Sequence, residues 1–225
     1  MSSELLNLLW SSFFETLVMV GVAGAAGALL GIPLGISLHI TSANGILPRP
    51  FFNRIAGLLV NAVRSTPFII LLVAVIPLTR LIAGTSIGTA AAVVPLSIAS
   101  CPFVARLVET ALREVAPGLV EAAQAMGATR LQIVRKVLLP EALSGIVAGL
   151  TVTFVSLVGY SAMAGAIGGG GLGDLGIRYG YQRFLPEVML VVVLVLIAFV
   201  QIVQSLGDYF VARISHRNQS SPTSA

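Results

Sequence analysis

Few side chains in this sequence have a type and spacing that could catalyse a reaction. Ser161 lies in the run 159–163 (GYSAM), which departs from the Gly-x-Ser-x-Gly nucleophile turn because Met163 replaces the second glycine. The two histidines, His39 and His216, fall near the ends of other apolar runs, where they cannot easily reach this serine. The pattern therefore predicts no hydrolytic triad.

The glycine-rich run 165–173 (GAIGGGGLG) is the second candidate, because glycine-rich loops can cradle phosphates. No Gly-Lys-Ser/Thr follows it and no strand precedes it, so a P-loop is excluded and a tight external turn is expected. No HExxH or Walker motif occurs, and the single Cys101 excludes an intrachain disulfide or a multi-cysteine metal site. We expect no catalytic residue, metal or cofactor, and no ATP hydrolysis by this chain.

Composition assigns the chain to the membrane. Of its 225 residues 56% are hydrophobic and 10% are charged, with a mean hydropathy of +0.98, whereas charged residues make up about 25% of soluble domains. The net charge of +4 comes from basic residues scattered among apolar runs rather than clustered on one face, which argues against nucleic-acid binding. The sequence predicts an all-α membrane protein in contact with lipid.

Stretches free of charge give the candidate spans, each close to the roughly 20 residues that a membrane requires. They predict a transmembrane domain at 16–212, between an external segment 1–15 and a cytoplasmic tail 213–225 whose end, from about Asn218, is expected to be disordered. Within it we expect five spans, at about 16–40, 55–79, 87–108, 140–166 and 188–207.

The basic residues set the orientation, because cytoplasmic loops carry an excess of lysine and arginine. With the loop 117–140 in the cytoplasm, ten of the 13 basic residues fall inside, and Arg80, Arg178 and Arg183 fall outside. The N-terminus is then external and the C-terminus cytoplasmic.

Several spans carry local features. Gly27, Gly31 and Gly35 form a small-residue stripe that favours close helix packing in lipid. We expect Glu15 to be solvated at the membrane interface, and the charged residues of 104–115 to form a solvated face.

Pro67 should break the second span next to Arg64. A broken helix beside an ionisable group suggests a functional position in a membrane, although an arginine that snorkels to the inner headgroups explains Arg64 equally well.

The segment 117–140 (PGLVEAAQAMGATRLQIVRKVLLP) predicts two short helices with a break. Pro117 suits a first helical turn, and the apolar positions 119, 122, 123 and 126 recur on one face. Gly127 stands where a left-handed cap is wanted, Thr129 with Gln132 matches a capping box, and Pro140 should mark the entry to the next element. This pattern is typical of a helix that docks in a partner's groove, or of a simple hydrophilic connector.

The spacing of this segment resembles the EAA loop of bacterial ABC importer permeases. Glu121, Ala122 and Ala123 precede Gly127 by the family's interval, and Pro140 follows 13 positions after that glycine. The runs 64–70 (RSTPFII), 125–129 (AMGAT), 134–142 (VRKVLLPEA) and 158–163 (VGYSAM) resemble the methionine-importer permeases in particular.

The resemblance implies a type I ABC importer fold, with five transmembrane helices per subunit and a cytoplasmic coupling helix, in the bacterial inner membrane. It implies a homodimer, two ATP-binding cassette subunits docked on the loops, and a lipoprotein or periplasmic protein that delivers the substrate. Coupling to the ATPase would use Glu121, Ala122, Ala123, Gly127 and Pro140.

Met163 is the candidate for a gate, in a translocation pathway with Pro67, Tyr160 and Ser161. It should lie near the outer end of the fourth span, where two copies could form an apolar constriction on a dimer axis. The alternative is a methionine that only fills a gap between helices.

Two other functions stay open. The permease could carry another polar amino acid, or the chain could be a secondary transporter. A secondary transporter normally places coupling carboxylates at mid-membrane, and none of the nine acidic residues is central in a predicted span.

Overall fold

The computed structural model describes residues 3–219, with side chains from 4 to 215. In this part of the chain all regular structure is helical, as the sequence predicts. The α-helices are α1 (Ser3–Thr41), α2 (Pro50–Ser65), α3 (Phe68–Ala74), α4 (Ile76–Ala83), α5 (Thr89–Arg113), α6 (Pro117–Ala125), α7 (Arg130–Ile133), α8 (Leu139–Ala164), α9 (Gly171–Leu175) and α10 (Pro186–Gln219), and π-helical stretches occupy Val134–Leu138, Gly165–Gly169 and Gly176–Tyr181.

Four stretches of helix are long and apolar enough to cross a membrane: Glu4–Thr41, Thr89–Arg113, Arg130–Gly169 and Pro186–Ser215. The fifth candidate is the pair α2 and α3, which is bent by 106° at the break between Ser65 and Phe68. The expectation of five spans holds when this bent pair counts as one. The predicted break at Pro67 is present.

Helix α1 continues through the boundary predicted at residue 16, which therefore does not coincide with a helix end. α1 is one helix of 39 residues, about 58 Å long at 1.5 Å per residue and so longer than the hydrocarbon core. Its first turns are ordered because Leu5, Leu8 and Leu9 pack against buried side chains of α9 and α10. The last helix is likewise longer than its predicted span, since it continues to Gln219. Residues 220–225 of the predicted tail, and the side chain of His216, lie outside the described residues.

The glycine stripe on α1 brings this helix close to α5. A Cβ added at Gly31 would meet the Cys101 carbonyl oxygen at 2.6 Å, and one at Gly35 would meet the Ala105 carbonyl oxygen at 2.4 Å. Lipid is as apolar as the helices, so helices associate in it through such close contacts rather than by escaping water. The stripe is therefore the packing face that the sequence predicts.

The main core lies where α1, α5, α8 and α10 meet. Met19, Leu96 and Leu157 are almost fully buried there, and α3 adds Phe68. The arrangement leaves one face of α8 uncovered, at Val152, Gly159 and Met163.

Pro140 does not separate two elements, contrary to expectation, because helix runs without interruption from Arg130 to Gly169. The π-helical stretch Val134–Leu138 precedes the proline, and the Leu139 N–H donates to the Val134 carbonyl oxygen five residues earlier. A π-bulge widens the helix locally. We infer that this widening relieves the clash that a proline ring makes in an ordinary helix.

The glycine-rich run is only partly exposed: Gly165, Gly169 and Gly171 are buried, whereas Ala166 and Ile167 are exposed. It does turn, since φ is +92° at Gly168 and +80° at Gly170, but the chain then forms α9 against α1. Glu15 accepts a hydrogen bond from the Gly171 N–H at 2.6 Å, and the Thr16 hydroxyl accepts one from the Leu172 N–H at 2.9 Å. Glu15 is therefore half-buried and structural, not simply solvated.

The solvated face expected for residues 104–115 is wrong at Glu109, which is buried. It is 3% exposed, and its carboxylate pairs with Arg106 at 2.7 Å and with Arg113. Arg106 also donates to the Asn61 side chain at 2.7 Å, which ties α5 to α2.

The glycine stripe yields a stability prediction. Gly35→Ala should lower the thermal denaturation midpoint of the detergent-solubilised protein, because its Cβ would strike the α5 backbone and force the helices apart, at roughly 1–3 kcal/mol as for other overpacked sites. Gly21→Ala is the matched control on the same helix, since a Cβ there meets nothing within 4 Å. Equal midpoints for the two variants would contradict the packing role.

Candidate functional site

The helix α6 forms as its sequence predicts. Pro117 occupies its first turn. The helix closes with a Schellman motif, in which Gly127 has φ +79°, its N–H donates to the Gln124 carbonyl oxygen at 2.9 Å, and the Ala128 N–H donates to the Ala123 carbonyl oxygen at 3.0 Å. No atom lies within 4 Å of a Cβ built on Gly127. Glycine is therefore required there for its dihedral angles and not for space within this subunit.

The predicted capping box at the start of α7 is also present. The Thr129 N–H donates to the Gln132 side chain at 2.8 Å, and the Gln132 N–H donates to the Thr129 hydroxyl at 3.4 Å. A helix end closed by Gly127 and a helix start capped by Thr129 thus lie within a few residues of each other, between α6 and the long helix that leads into α8.

The four apolar positions of segment 119–126 lie on one side of the helix, but they are not buried together. Leu119, Ala122 and Met126 are exposed, Met126 by 81%, whereas Ala123 is 4% exposed. Ala123 packs into the core between the end of α5 and the helical stretch that leads into α8, with Leu112 and Leu138. The helix is seated through Ala123, and it presents Leu119, Ala122 and Met126 outward beside the exposed Glu121.

A cavity of about 680 Å³ lies behind this helix. The end of α1, the loop 42–46, the end of α5 and α6 form its walls. Its polar lining includes His39, Arg113, Glu121 and Gln124. Pro140 lies beyond it on the continuous helix, exposed at the surface.

The residues predicted for a translocation pathway differ in their burial and in their contacts. Tyr160 stacks on Phe68, with ring centroids 4.6 Å apart and planes 11° apart. Pro67 is exposed and precedes α3 as its N-cap residue. The Ser161 side chain is buried and donates to the Val158 carbonyl oxygen of its own helix at 2.8 Å. Ser161 therefore does not line an open path in this structure.

Met163 is 47% exposed. The same uncovered face of α8 carries Val152 and the exposed Gly159. Gly159 follows Val152 by seven positions, and Met163 follows Gly159 by four. This face is apolar and includes a position with no side chain, which suits close approach of a second helix.

No sequence pattern indicated three features that the structure adds: the pairing of Glu15 with the start of α9, the burial of Glu109, and the meeting of Phe68 and Phe103 with the break at Pro67. Each depends on contacts between residues more than 30 positions apart or on the burial of one helix face. Within the described residues no cluster of three or more His, Cys, Asp or Glu side chains could hold a metal ion.

Comparison with known proteins identifies the family. The family model described as "binding-protein-dependent transport system inner membrane component" matches residues 27–216. The chain belongs to this family.

Among the relatives of this family member is the probable D-methionine transport system permease protein MetI of Vibrio cholerae, which is 58% identical over 211 residues, 94% of each chain. The D-methionine transport system permease protein MetI of Escherichia coli K12 is 52% identical over 165 residues, 73% of this chain and 76% of that protein.

The fold of the binding-protein-dependent permease is also similar to a solved structure. A crystal structure of the MetNI methionine ABC transporter in an inward-facing conformation matches with a TM-score of 0.93 and 49% identity, over 95% of this chain and 99% of the other. An amino acid ABC transporter crystallised with histidines matches at a TM-score of 0.76 and 23% identity, which supports the fold alone.

Proposed function

We propose that this chain is the permease subunit of an ATP-driven importer of methionine in the inner membrane. The observation that carries the proposal is α6: a helix anchored by Ala123, closed by the Gly127 motif, with Leu119, Ala122 and Met126 exposed. The single subunit leaves this apolar surface exposed on a helix that is otherwise firmly anchored. It suits insertion into a groove of a separate ATPase subunit.

The substrate proposal rests on the relatives. The V. cholerae and E. coli proteins are named for D-methionine transport, and the matched crystal structure is of a methionine transporter. Identity of 49–58% over nearly the whole chain in two of these three supports the same substrate class here. A substrate-binding protein would deliver the amino acid on the outer side.

The mechanism follows from how α6 is connected. The first half of the segment packs through Ala123 against Leu112 of α5 and against Leu138, and the second half, which contains Leu138, continues without a break into α8. When ATP brings two ATPase subunits together, two copies of α6 would move with them and reorient both α8 helices. In this proposal Glu121, Ala122 and Gly127 act in docking, Ala123 in seating the helix, and Pro140 in shaping its connection.

A homodimer would cover the exposed face of α8, with Val152, Gly159 and Met163 turned toward the two-fold axis. Two Met163 side chains that meet there would form an apolar constriction, which dewets and blocks a polar solute. This permease would act on the solute only through the shape and solvation of the pathway, and ATP hydrolysis would belong to the partner.

A secondary transporter is the less favoured function. It requires a carboxylate that is free to bind a coupling ion within the membrane. The buried Glu109 is held by two arginines near the inner end of α5, so it is not free in this sense.

Reconstitution tests the proposal directly. Vesicles that contain this chain, its ATPase subunit and its binding protein should import labelled methionine only when ATP is supplied on the ATPase side. Unlabelled methionine should compete, and other polar amino acids should compete weakly. ATP-independent uptake would favour a secondary transporter, and stronger competition by another amino acid would reassign the substrate.

Gly127→Val should reduce co-purification of the ATPase subunit and uptake together. A positive φ costs an L residue about 1–2 kcal/mol, and a β-branched residue more, so the motif that closes α6 would open. Gly118→Ala is the control within the same helix, because its Cβ meets nothing within 4 Å and its φ is not positive. If Gly127→Val transports at the wild-type rate, α6 is not the coupling element.

Topology is tested with reporter fusions. Fusions after Asn44 and within 117–140 should report the cytoplasm, and one near Arg183 should report the outside, because ten of the 13 basic residues then lie inside. An external 117–140 segment would remove it from contact with cytoplasmic ATP and refute the mechanism.

The gate is tested by cross-linking in a Cys101→Ala background, since Cys101 is the single cysteine. Met163→Cys should cross-link between subunits in the nucleotide-free complex, and less when ATP is trapped. Ala164→Cys should not, because that neighbouring position is buried within its own subunit at 1% exposure. Intact transport with no Met163→Cys product in either state would place this residue away from the axis.

A further inference from the structure

Four elements meet at the break in the second span. The end of α2, the start of α3, the middle of α5 and the outer third of α8 surround a cavity of about 90 Å³. The side chains that matter are Arg64, Thr66, Phe68, Phe103 and Tyr160.

The cavity lies between the ends of the long helices rather than at a helix end. Phe103 is roughly 21 Å along α5 from Thr89 and roughly 15 Å from Arg113, at 1.5 Å per residue. Tyr160 is one turn before Met163 on α8. A solute that passed Met163 would reach this cavity next.

The cavity contains a cation without a counter-ion. None of the ion pairs formed within the described residues involves Arg64, and its guanidinium lies 5.9 Å from the centre of the Phe103 ring. An unpaired charge at this depth is costly in lipid. Arg64 is exposed in the single subunit, so it must face water or an anion in the assembled protein.

A second polar group in the cavity is also unpaired. The Tyr160 hydroxyl has no hydrogen-bond partner among the described residues, although its ring is held against Phe68 by stacking. The hydroxyl can accept as well as donate a hydrogen bond. A fixed guanidinium and a free hydroxyl therefore line one cavity with aromatic walls.

We propose that this cavity is a transient binding site for the transported amino acid, with Arg64 as the residue that selects for a carboxylate. The α-carboxylate would take the planar donors of Arg64, and the Tyr160 hydroxyl would accept from the α-ammonium group. A cavity of this size would hold only the charged end of the molecule, and Phe68 is only 7% exposed. The apolar side chain would therefore lie at the mouth of the cavity against the Phe103 ring, whose edge attracts a thioether. This proposal rests on the proposed function and names how the same pathway recognises its substrate.

The test uses the whole importer, assembled with its ATPase subunit and binding protein. Arg64→Gln keeps a polar side chain of similar length but removes the charge. Because a hydrogen bond to a charged group contributes more than a neutral one, methionine imported per ATP hydrolysed should fall about tenfold or more. Arg64→Lys should recover only part of the loss, since it restores the charge without the planar fork.

Two controls separate this site from a general defect. Arg54→Gln removes an exposed arginine from the same helix, ten residues earlier and outside the cavity, and should import at the wild-type level. Tyr160→Phe keeps the stacking on Phe68 and removes only the hydroxyl, so a loss of import in this variant supports contact with the substrate. The ATPase subunit should co-purify with Arg64→Gln at the wild-type ratio.

Direct occupancy is measured with a photoactivatable methionine analogue that carries a diazirine in its side chain. Irradiation of the wild-type complex should label peptides that contain Phe68, Phe103 or Tyr160, and excess methionine should suppress this labelling. Arg64→Gln should reduce it about tenfold, in parallel with transport.

A lipid phosphate could also neutralise Arg64, and vesicle composition distinguishes the two anions. If the substrate carboxylate is the partner, the Arg64→Gln loss is equal in phosphatidylcholine vesicles and in vesicles with phosphatidylglycerol. If lipid is the partner, the wild type falls to the variant's level in phosphatidylcholine alone, and the proposal is overturned.

The site and the proposed function can fail separately. A wild-type complex that does not import methionine refutes the proposed function. A wild-type complex that imports methionine while Arg64→Gln imports equally well, or shows undiminished photolabelling, refutes the site alone.

Discussion

Backbone polar groups have no water to bind within a membrane, so every interruption of a helix there must be satisfied by the protein itself. Two breaks and one π-bulge in the described helices meet this constraint in different ways. At the glycine-rich run, Glu15 and Thr16 of α1 accept the N–H groups that open α9. Before Pro140, a π-bulge shifts the hydrogen bonds by one residue. At Pro67 the break faces a cavity and not a capping side chain.

These three features have different roles in the molecule. The two that are fully satisfied hold α9 on α1 and connect segment 117–140 to α8, and both need fixed geometry. The third lies beside Arg64 and Tyr160, whose guanidinium and hydroxyl have no ion-pair or hydrogen-bond partner among the described residues. Polar groups are expensive there and are normally retained for a function. The helices around them are packed by glycine contacts such as those of Gly31 and Gly35.

The features that could be predicted from the sequence are those that depend on residues close together along the chain. The helix start at Pro117, the left-handed Gly127 and the Thr129 box are local, and all three are present. The inward position of Ala123 and the burial of Glu109 depend on which face of a helix meets the core, and periodicity over nine residues could not choose between faces. The effect of Pro140 was misjudged because a rule for ordinary α-helices does not include a compensating bulge. Local pattern also placed Arg64 in the second span without showing that Phe103, 39 positions later, would lie beside it.

The unbroken run of α8, 26 residues from Leu139 to Ala164, gives the subunit a mechanical property. A rod of that length measures about 39 Å, so a tilt of about 10° around its midpoint displaces each end sideways by about 3 Å. That displacement is close to the diameter of one water molecule. Met163 is the second-last residue of this helix, so a small tilt of the rod is enough to move its side chain sideways by about that distance.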